Sequence, residues 1–508
     1  MNASVRKRVS EPAPTARWSE HTAPIMLSLP FLACLDILAL LFSEPSLAML
    51  ATVAIQGLLV VYGYQTRPLG LLFSFFVVST FTFLTGRMLV VGVFGYKSLG
   101  EGDWGLHLSD PKLINGALLM QQVFLLFAWI GVLVTRKRVT HDFAGRRLVS
   151  NQAAITVGAL SMVAGSALYL QNRVGVVSSV SQSSYLDYYS SRTSLVSTSG
   201  RIGESLLIVG FAFVLAGLPR FRHFVLASGL LVAVHGFDLL MGRRAPFVLS
   251  LLVVLFYAIL RAALRDRIDG AGDWPRASKL AISSLLLLPM LEMLNLIGRV
   301  RFRSGKDDSG ALSAIPEFLF SQGVSANLLT YVQTDLLQIP KDKFYSLGPA
   351  IEFAQVRLMP GFDSSLYDTQ SPERALAGHN FADIVSYRIM PEAYVQGAGY
   401  GSSAVAELFW DFSWVGVAVG ALVLGIVLAA SGRLLELPVP LAATAVIISR
   451  QILYVPRAPF LDWLVGSLNV FNIAALLFVT IAWKLSNTRR DGAPARRGRH
   501  RAARPQRA

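Results

Sequence analysis

Apolar residues fill this chain in blocks of about 18 or more, the length a helix needs to cross a bilayer. The blocks fall at about residues 24–42, 46–64, 70–94, 113–134, 148–171, 202–218, 224–241, 246–260, 280–297, 402–430, 435–453 and 460–483. The pattern predicts an all-α polytopic membrane protein of about twelve transmembrane helices, by the length criterion for a spanning helix. The ten-residue alternation of a membrane β-barrel is absent. Polar sequence separates the ninth and tenth blocks for about a hundred residues, 298–401. Within it, 311–337 has helical periodicity and 351–357 is amphipathic, so an ordered cap is expected rather than a loose loop. The organisation read from the pattern is a polar N-terminal tail (1–23), nine spans (24–297), the cap segment (298–401), three spans (402–483) and a C-terminal tail (484–508).

Composition agrees with this reading. Hydrophobic residues make up 53% of the 508 and charged ones 15%, with a mean hydropathy of +0.52; a soluble domain carries about 25% charged residues. The one cysteine, Cys34, lies in the first block, so no disulfide forms within the chain. No cleavable signal peptide is evident, and the first span is expected to serve as the insertion signal.

Charge sets the expected orientation. The net charge is +15, and residues 484–508 hold nine Lys/Arg against one acid, Asp491. That tail reads as disordered and cytoplasmic, beside anionic lipid, with no nucleic-acid partner. The short basic loops around Arg136, Arg146, Arg220 and Arg261 fall on the same side as both termini, which makes that side the cytoplasm by the positive-inside rule. The cap is then extracytoplasmic.

Several arginines break this trend. Arg243 and Arg244 sit in the short turn Leu-Leu-Met-Gly-Arg-Arg-Ala-Pro-Phe; Arg299, Arg301 and Arg303 follow the ninth block; Arg457 lies between the last two. Arg-Ala-Pro-Phe occurs at both 244–247 and 457–460, and in each a proline is expected to open a helix just beneath an outward arginine. Arginine is always charged and forks two N–H groups onto phosphate or carboxylate oxygens. Arginines at three helix ends can converge on a multiply charged anion; singly, each could pair with lipid headgroups or loop acids.

Other candidates are acids and bases. His379, in Ala-Gly-His-Asn-Phe, could take a proton near pH 7 or be structural. His235 and Asp238 stand three apart on one helix face, within reach of each other. The glycine-rich stretch from Gln396 leads into a span carrying Glu407 and Asp411, carboxylates that need partners there. No phosphate-cradling loop, nucleotide-fold signature or convincing metal-ligand cluster is present; Asp307 and Asp308 form an isolated pair.

Gly-Arg-Arg at the end of a middle span, a long outward segment containing Phe-Ser-Gln-Gly-Val-Ser (320–325), and Gly-Ala-Gly-Tyr-Gly-Ser-Ser…Ala-Glu-Leu-Phe-Trp-Asp-Phe entering the next span together resemble the oligosaccharide repeat unit polymerases, the Wzy-type O-antigen and capsule polymerases of bacteria. These are related to the O-antigen ligases and belong with the C-type membrane glycosyltransferases. The resemblance covers about residues 148–483. It implies an inner-membrane enzyme that polymerises undecaprenyl-diphosphate-linked repeat units, with membrane lipids around it and a chain-length regulator as a further partner. No metal or other cofactor is implied. Arg243, Arg244, Arg299, Arg301 and Arg457 would hold the diphosphate, and His379 or Glu407 would assist the acceptor hydroxyl.

Other readings use the same features. A ligase would employ the same arginines. A transporter or flippase would show internal repeats and midplane charges, whereas the charges here crowd one face. A structural scaffold would need no anion site.

Overall fold

The computed structural model describes residues 28–30, 32–34, 37–38, 44–95, 110–139, 148–182, 197–240, 243–268, 273–283, 314–367, 369–397 and 399–491. Among them, eight helical stretches are long and apolar enough to cross a membrane. The helices are α1 (Pro45–Gln65), α2 (Leu71–Gly92), α3 (Pro111–Val139), α4 (Gln152–Gln182), α5 (Thr198–Ala216), α6 (Phe221–Leu240) and α7 (Ala245–Ala263). After the cap helix α8 (Gly348–Leu358) come α9 (Ala404–Ala430), α10 (Val439–Ile452) and α11 (Val470–Asp491).

Two departures from the expected spans matter for the site. The expected tenth-to-eleventh connection shortens α10 to 14 residues, because Ser431–Glu436 winds as a 3-10 helix and prolines stand at 438 and 440. At about 1.5 Å per residue, α10 covers only about two-thirds of a bilayer core. The expected twelfth span breaks: Asp462–Val465 makes one short turn, and the long helix starts only at Val470. Helix α6 has the expected place but carries Arg222, His223, His235 and Asp238, and is not among the eight. The first expected span is described only in pieces, and the ninth only as far as the short helix Ala277–Ser283.

Small residues let helices meet closely. A Cβ at Gly158 would lie 2.6 Å from the carbonyl oxygen of Gly210, and one at Gly203 2.6 Å from the backbone nitrogen of Tyr169, so α4 and α5 touch backbone to backbone. Helices α3 and α9 meet the same way, where Gly425 abuts the Ala128 carbonyl and Gly131 that of Leu422. Lipid offers no hydrophobic drive between helices, so close packing of small residues and interhelical hydrogen bonds supply it. The hydrogen bonds join α1, α2 and α3: Gln56 donates to Thr85 (2.7 Å), Thr85 to Gln121 (2.8 Å) and Gln122 to Thr52 (2.8 Å). Thr85 ends a π turn, Phe81–Thr85, within α2.

The cap lies over one end of this bundle. Asp411 of α9 accepts from the Tyr345 (3.1 Å) and Ser346 (2.7 Å) backbone nitrogens at the start of α8. Inside the cap, Arg374 pairs with Asp383 at 2.8 Å and donates to the Tyr367 carbonyl. At the other end, Arg267 pairs with Glu436 at 2.9 Å.

Gly425→Val tests the α3–α9 contact. The added carbons meet a backbone carbonyl that cannot rotate away, and overpacking of this kind costs about 1–3 kcal/mol. A lowered melting temperature in detergent is expected; an unchanged one would mean the helices stand further apart.

Candidate active site

A cavity of about 590 Å³ opens between the cap and the bundle. Its walls come from four places: the first turns of α5 (Arg201, Glu204), the cap helix α8 (Glu352, Phe353, Arg357), the end of α10 (Arg450, Gln451), and the broken helix from Asp462 to Asn472. Three arginines and three carboxylates thus meet from segments far apart in sequence.

The break is what makes the wall polar. Prolines at 456 and 459 and glycine at 466 prevent a continuous helix. Asn469 then caps α11: its side-chain oxygen accepts from the Asn472 nitrogen (2.9 Å), while its amide donates to the Gly466 carbonyl (2.8 Å). Asn469, Val470, Phe471 and Asn472 all line the cavity, so the positive end of a 22-residue helix faces it. Gln451 donates to Asp462 at 2.9 Å and holds that carboxylate in the wall. Arg450 is half-buried, and its Nε has no hydrogen-bond partner. Arg201 lies at the mouth, with its guanidinium 5.9 Å from the Phe471 ring.

The cap side carries the titratable groups. Burial raises the Glu352 carboxyl above the usual range, offset in part by the His379 N–H, which donates to it at 2.9 Å. Burial pushes the Tyr367 hydroxyl up to about 12, with Glu352 adding to the effect. Burial lowers the His379 imidazole, and the nearby Lys343 ammonium lowers it further, so the ring is neutral at pH 7.

The residues singled out from the sequence have the following places. His379 is half-buried, its Nδ1 without a hydrogen-bond partner and its backbone bound to the cavity residue Glu352. Glu407 is fully buried: Ser402 donates to one oxygen and the Phe460 nitrogen to the other at 2.8 Å. Its partners are a hydroxyl and a backbone amide, and Asp411 likewise binds amides. Arg457 donates to the Gln322 carbonyl (2.9 Å) and side chain (3.1 Å), with its guanidinium 5.8 Å from the Phe83 ring. Arg243 stands 3.9 Å from Asp238 with its side chain 40% exposed. Arg244 is half-buried at the start of α7. Arg299, Arg301 and Arg303 lie outside the described residues, as do Asp307 and Asp308. None of the described ones lines the cavity; His379 touches it through Glu352.

Two local expectations differ from the structure. The Arg-Ala-Pro-Phe turns are not equivalent: at 244–247 the proline opens α7, but at 457–460 the chain runs from a 3-10 turn into the Phe460 bond to Glu407. His235 and Asp238 do not bond to each other, because partners on other helices are nearer. His235 binds Ser250 of α7 (2.6 Å), and Asp238 takes Tyr169 (2.6 Å) and Arg173 (3.3 Å) of α4.

Sequence reasoning passed over Arg201, Arg357, Arg450, Glu204, Glu352 and Asp462. Arg450 carried a usable signal, since an ionisable residue inside an apolar run marks function or a buried pair. Ser467, Asn469 and Asn472, with Gly466, inside the expected last span were a second.

With this geometry in view, the comparisons with known proteins add one decisive match. A family profile described as O-antigen polysaccharide polymerase Wzy matches residues 25–490, nearly the whole chain. The chain belongs to the Wzy family. Its members are membrane polymerases acting on lipid-linked oligosaccharide repeat units, a glycosyltransferase-like activity. The chain is accordingly a multi-pass membrane protein of this family. Neither the curated proteins nor the solved structures give a match.

Glu407→Ala would leave the Phe460 N–H buried and unpaired, at a cost of about 1–3 kcal/mol. The expected result is a lower melting temperature and less inserted protein, with Glu407→Gln closer to wild type because its oxygen still accepts. Equal stability of the two variants would count against the clamp.

Proposed function

We propose that this protein joins undecaprenyl-diphosphate-linked repeat units into O-antigen or a related polysaccharide at the outer face of the bacterial inner membrane. One observation carries the reading: three arginines and a helix N-terminus converge on one cavity in a Wzy-family chain. The basic loops on the far side support an outward-facing cap.

In this reading Arg201, Arg357 and Arg450 bind the diphosphate of the donor, with the first-turn amides of α11. The acceptor hydroxyl oxygen attacks the anomeric carbon, and a new glycosidic C–O bond forms. The bond from that carbon to the diphosphate oxygen breaks, and the lipid diphosphate leaves with the electron pair. Preorganised arginines stabilise the negative charge as it develops, which is chemistry of the C-type membrane glycosyltransferases. The hydroxyl proton passes to Glu352, whose raised carboxyl suits it as a base. His379 acts by holding Glu352, and Glu407 by fixing the turn that precedes the broken helix. Arg243, Arg244 and Arg457, which do not line the cavity, take no part in this step. Arg243 lies next to Asp238, and the Arg457 guanidinium anchors the cap residue Gln322.

Arg450→Ala is expected to lower polymerisation about 10²–10³-fold, the cost of losing one preorganised donor. In a deletion strain it should leave single repeat units in place of a ladder. Arg450→Lys should restore little, because a point charge lacks the fork. A full ladder from Arg450→Ala would overturn the assignment.

Glu352→Gln keeps the oxygen that accepts from His379 but removes the base. Polymerisation should fall with the fold intact. The active form is the carboxylate, so wild-type activity is full above its raised value and is lost as pH falls through it. That acid limb should lie above the ordinary glutamate range and vanish from the residual activity of Glu352→Gln. An unchanged limb in the variant would move the base elsewhere.

A further inference from the structure

The cavity does not end in the protein. Val470 lines it and is itself 42% exposed. From there Ile473, Leu477, Phe478, Ile481 and Leu485 stay exposed, each at 41–63%. The spacing of three, four, one, three and four residues keeps them on one face of α11. The opposite face, with Ala475, Leu476 and Val479, is buried against the bundle. From Val470 to Leu485 the stripe runs about 22 Å at 1.5 Å per residue, most of the hydrocarbon core. A charged pocket therefore opens directly onto an apolar track that descends the membrane.

We propose that this stripe of α11 is the berth of the polyisoprenyl tail of the lipid-linked substrate, and that the substrate enters sideways between α8 and α11. This rests on the diphosphate reading of the cavity. An anion held by Arg450 and the first turn of α11 leaves its tail attached at that point. The tail cannot stay in a water-filled cavity, and the surface continuous with the anion site is the exposed face of α11. Phe353 of α8 and Phe471 of α11 both line the cavity and give it apolar surface from each of these helices. Entry from the bilayer needs no passage through water, which a long isoprenoid would not make.

The test uses the full chain in liposomes with Cys34→Ser, which removes its one cysteine. A benzophenone is attached at Phe478→Cys on the track and, as a control, at Leu226→Cys on α6, which is 72% exposed away from it. The probe is radiolabelled undecaprenyl diphosphate. Labelling at 478 several-fold above that at 226, and falling to the control level with Arg450→Ala, is expected. Equal labelling at the two positions, or labelling at 478 that Arg450→Ala does not reduce, overturns the berth. The two readings fail separately. Lost polymerisation in Arg450→Ala with equal labelling removes the berth alone, and retained polymerisation in Arg450→Ala removes the diphosphate site beneath it.

Discussion

Hydrocarbon cannot satisfy a free backbone amide or carbonyl, so an unwound segment survives at membrane depth only where protein or a wet cavity completes its hydrogen bonds. The break between Val465 and Val470 meets this demand from its own side chains. Asn469 answers the amide of Asn472 and the carbonyl of Gly466, and Asn472 donates to the Ser467 carbonyl at 3.0 Å. Because the break is held, α11 begins inside the cavity rather than above it. The polar wall, the helix terminus and the reach of Arg450 all follow from that start. A continuous last helix would have closed the space and turned these groups toward lipid.

Three carboxylates serve this protein as backbone acceptors. Glu407 ties the glycine-rich entry of α9 to the turn at Phe460, Asp411 ties α9 to the start of α8, and Glu352 ties α8 to His379. Each bond joins two segments distant in sequence, and of the three it is Asp411 that ties the cap to the bundle. A charged acceptor makes a stronger bond to an amide than a neutral one does, which matters where packing is thin. Helix α8 illustrates the thinness: of its residues only Gly348 is buried, and its position depends on those bonds.

Apolar blocks made most of the bundle legible, since a run such as 113–134 has no other stable use. Charge anomalies were legible as well: Arg243, Arg457 and Glu407 stand out against apolar neighbours. Their partners were not. Glu407 meets a backbone amide 53 residues away, and an amide leaves no mark in a sequence. The cavity was hidden for a related reason. Arg201, Arg357 and Arg450 belong to no motif and converge only through tertiary packing. The break at 466–469 left only a faint mark, because one glycine, one serine and one asparagine do not outweigh the apolar run on either side.

The glycine contact between α4 and α5 has an evolutionary side. Where two helices touch backbone to backbone, no side chain can be enlarged or trimmed between them, and neither helix can shift without the other. The wall that carries Arg201 and Glu204 is therefore the conservative wall of the cavity. The facing wall is α8, which has almost no core of its own and is held at a few points. Repeat units of new size or branching would be admitted by redrawing the cap around Glu352 and Arg357, while the bundle stays as it is.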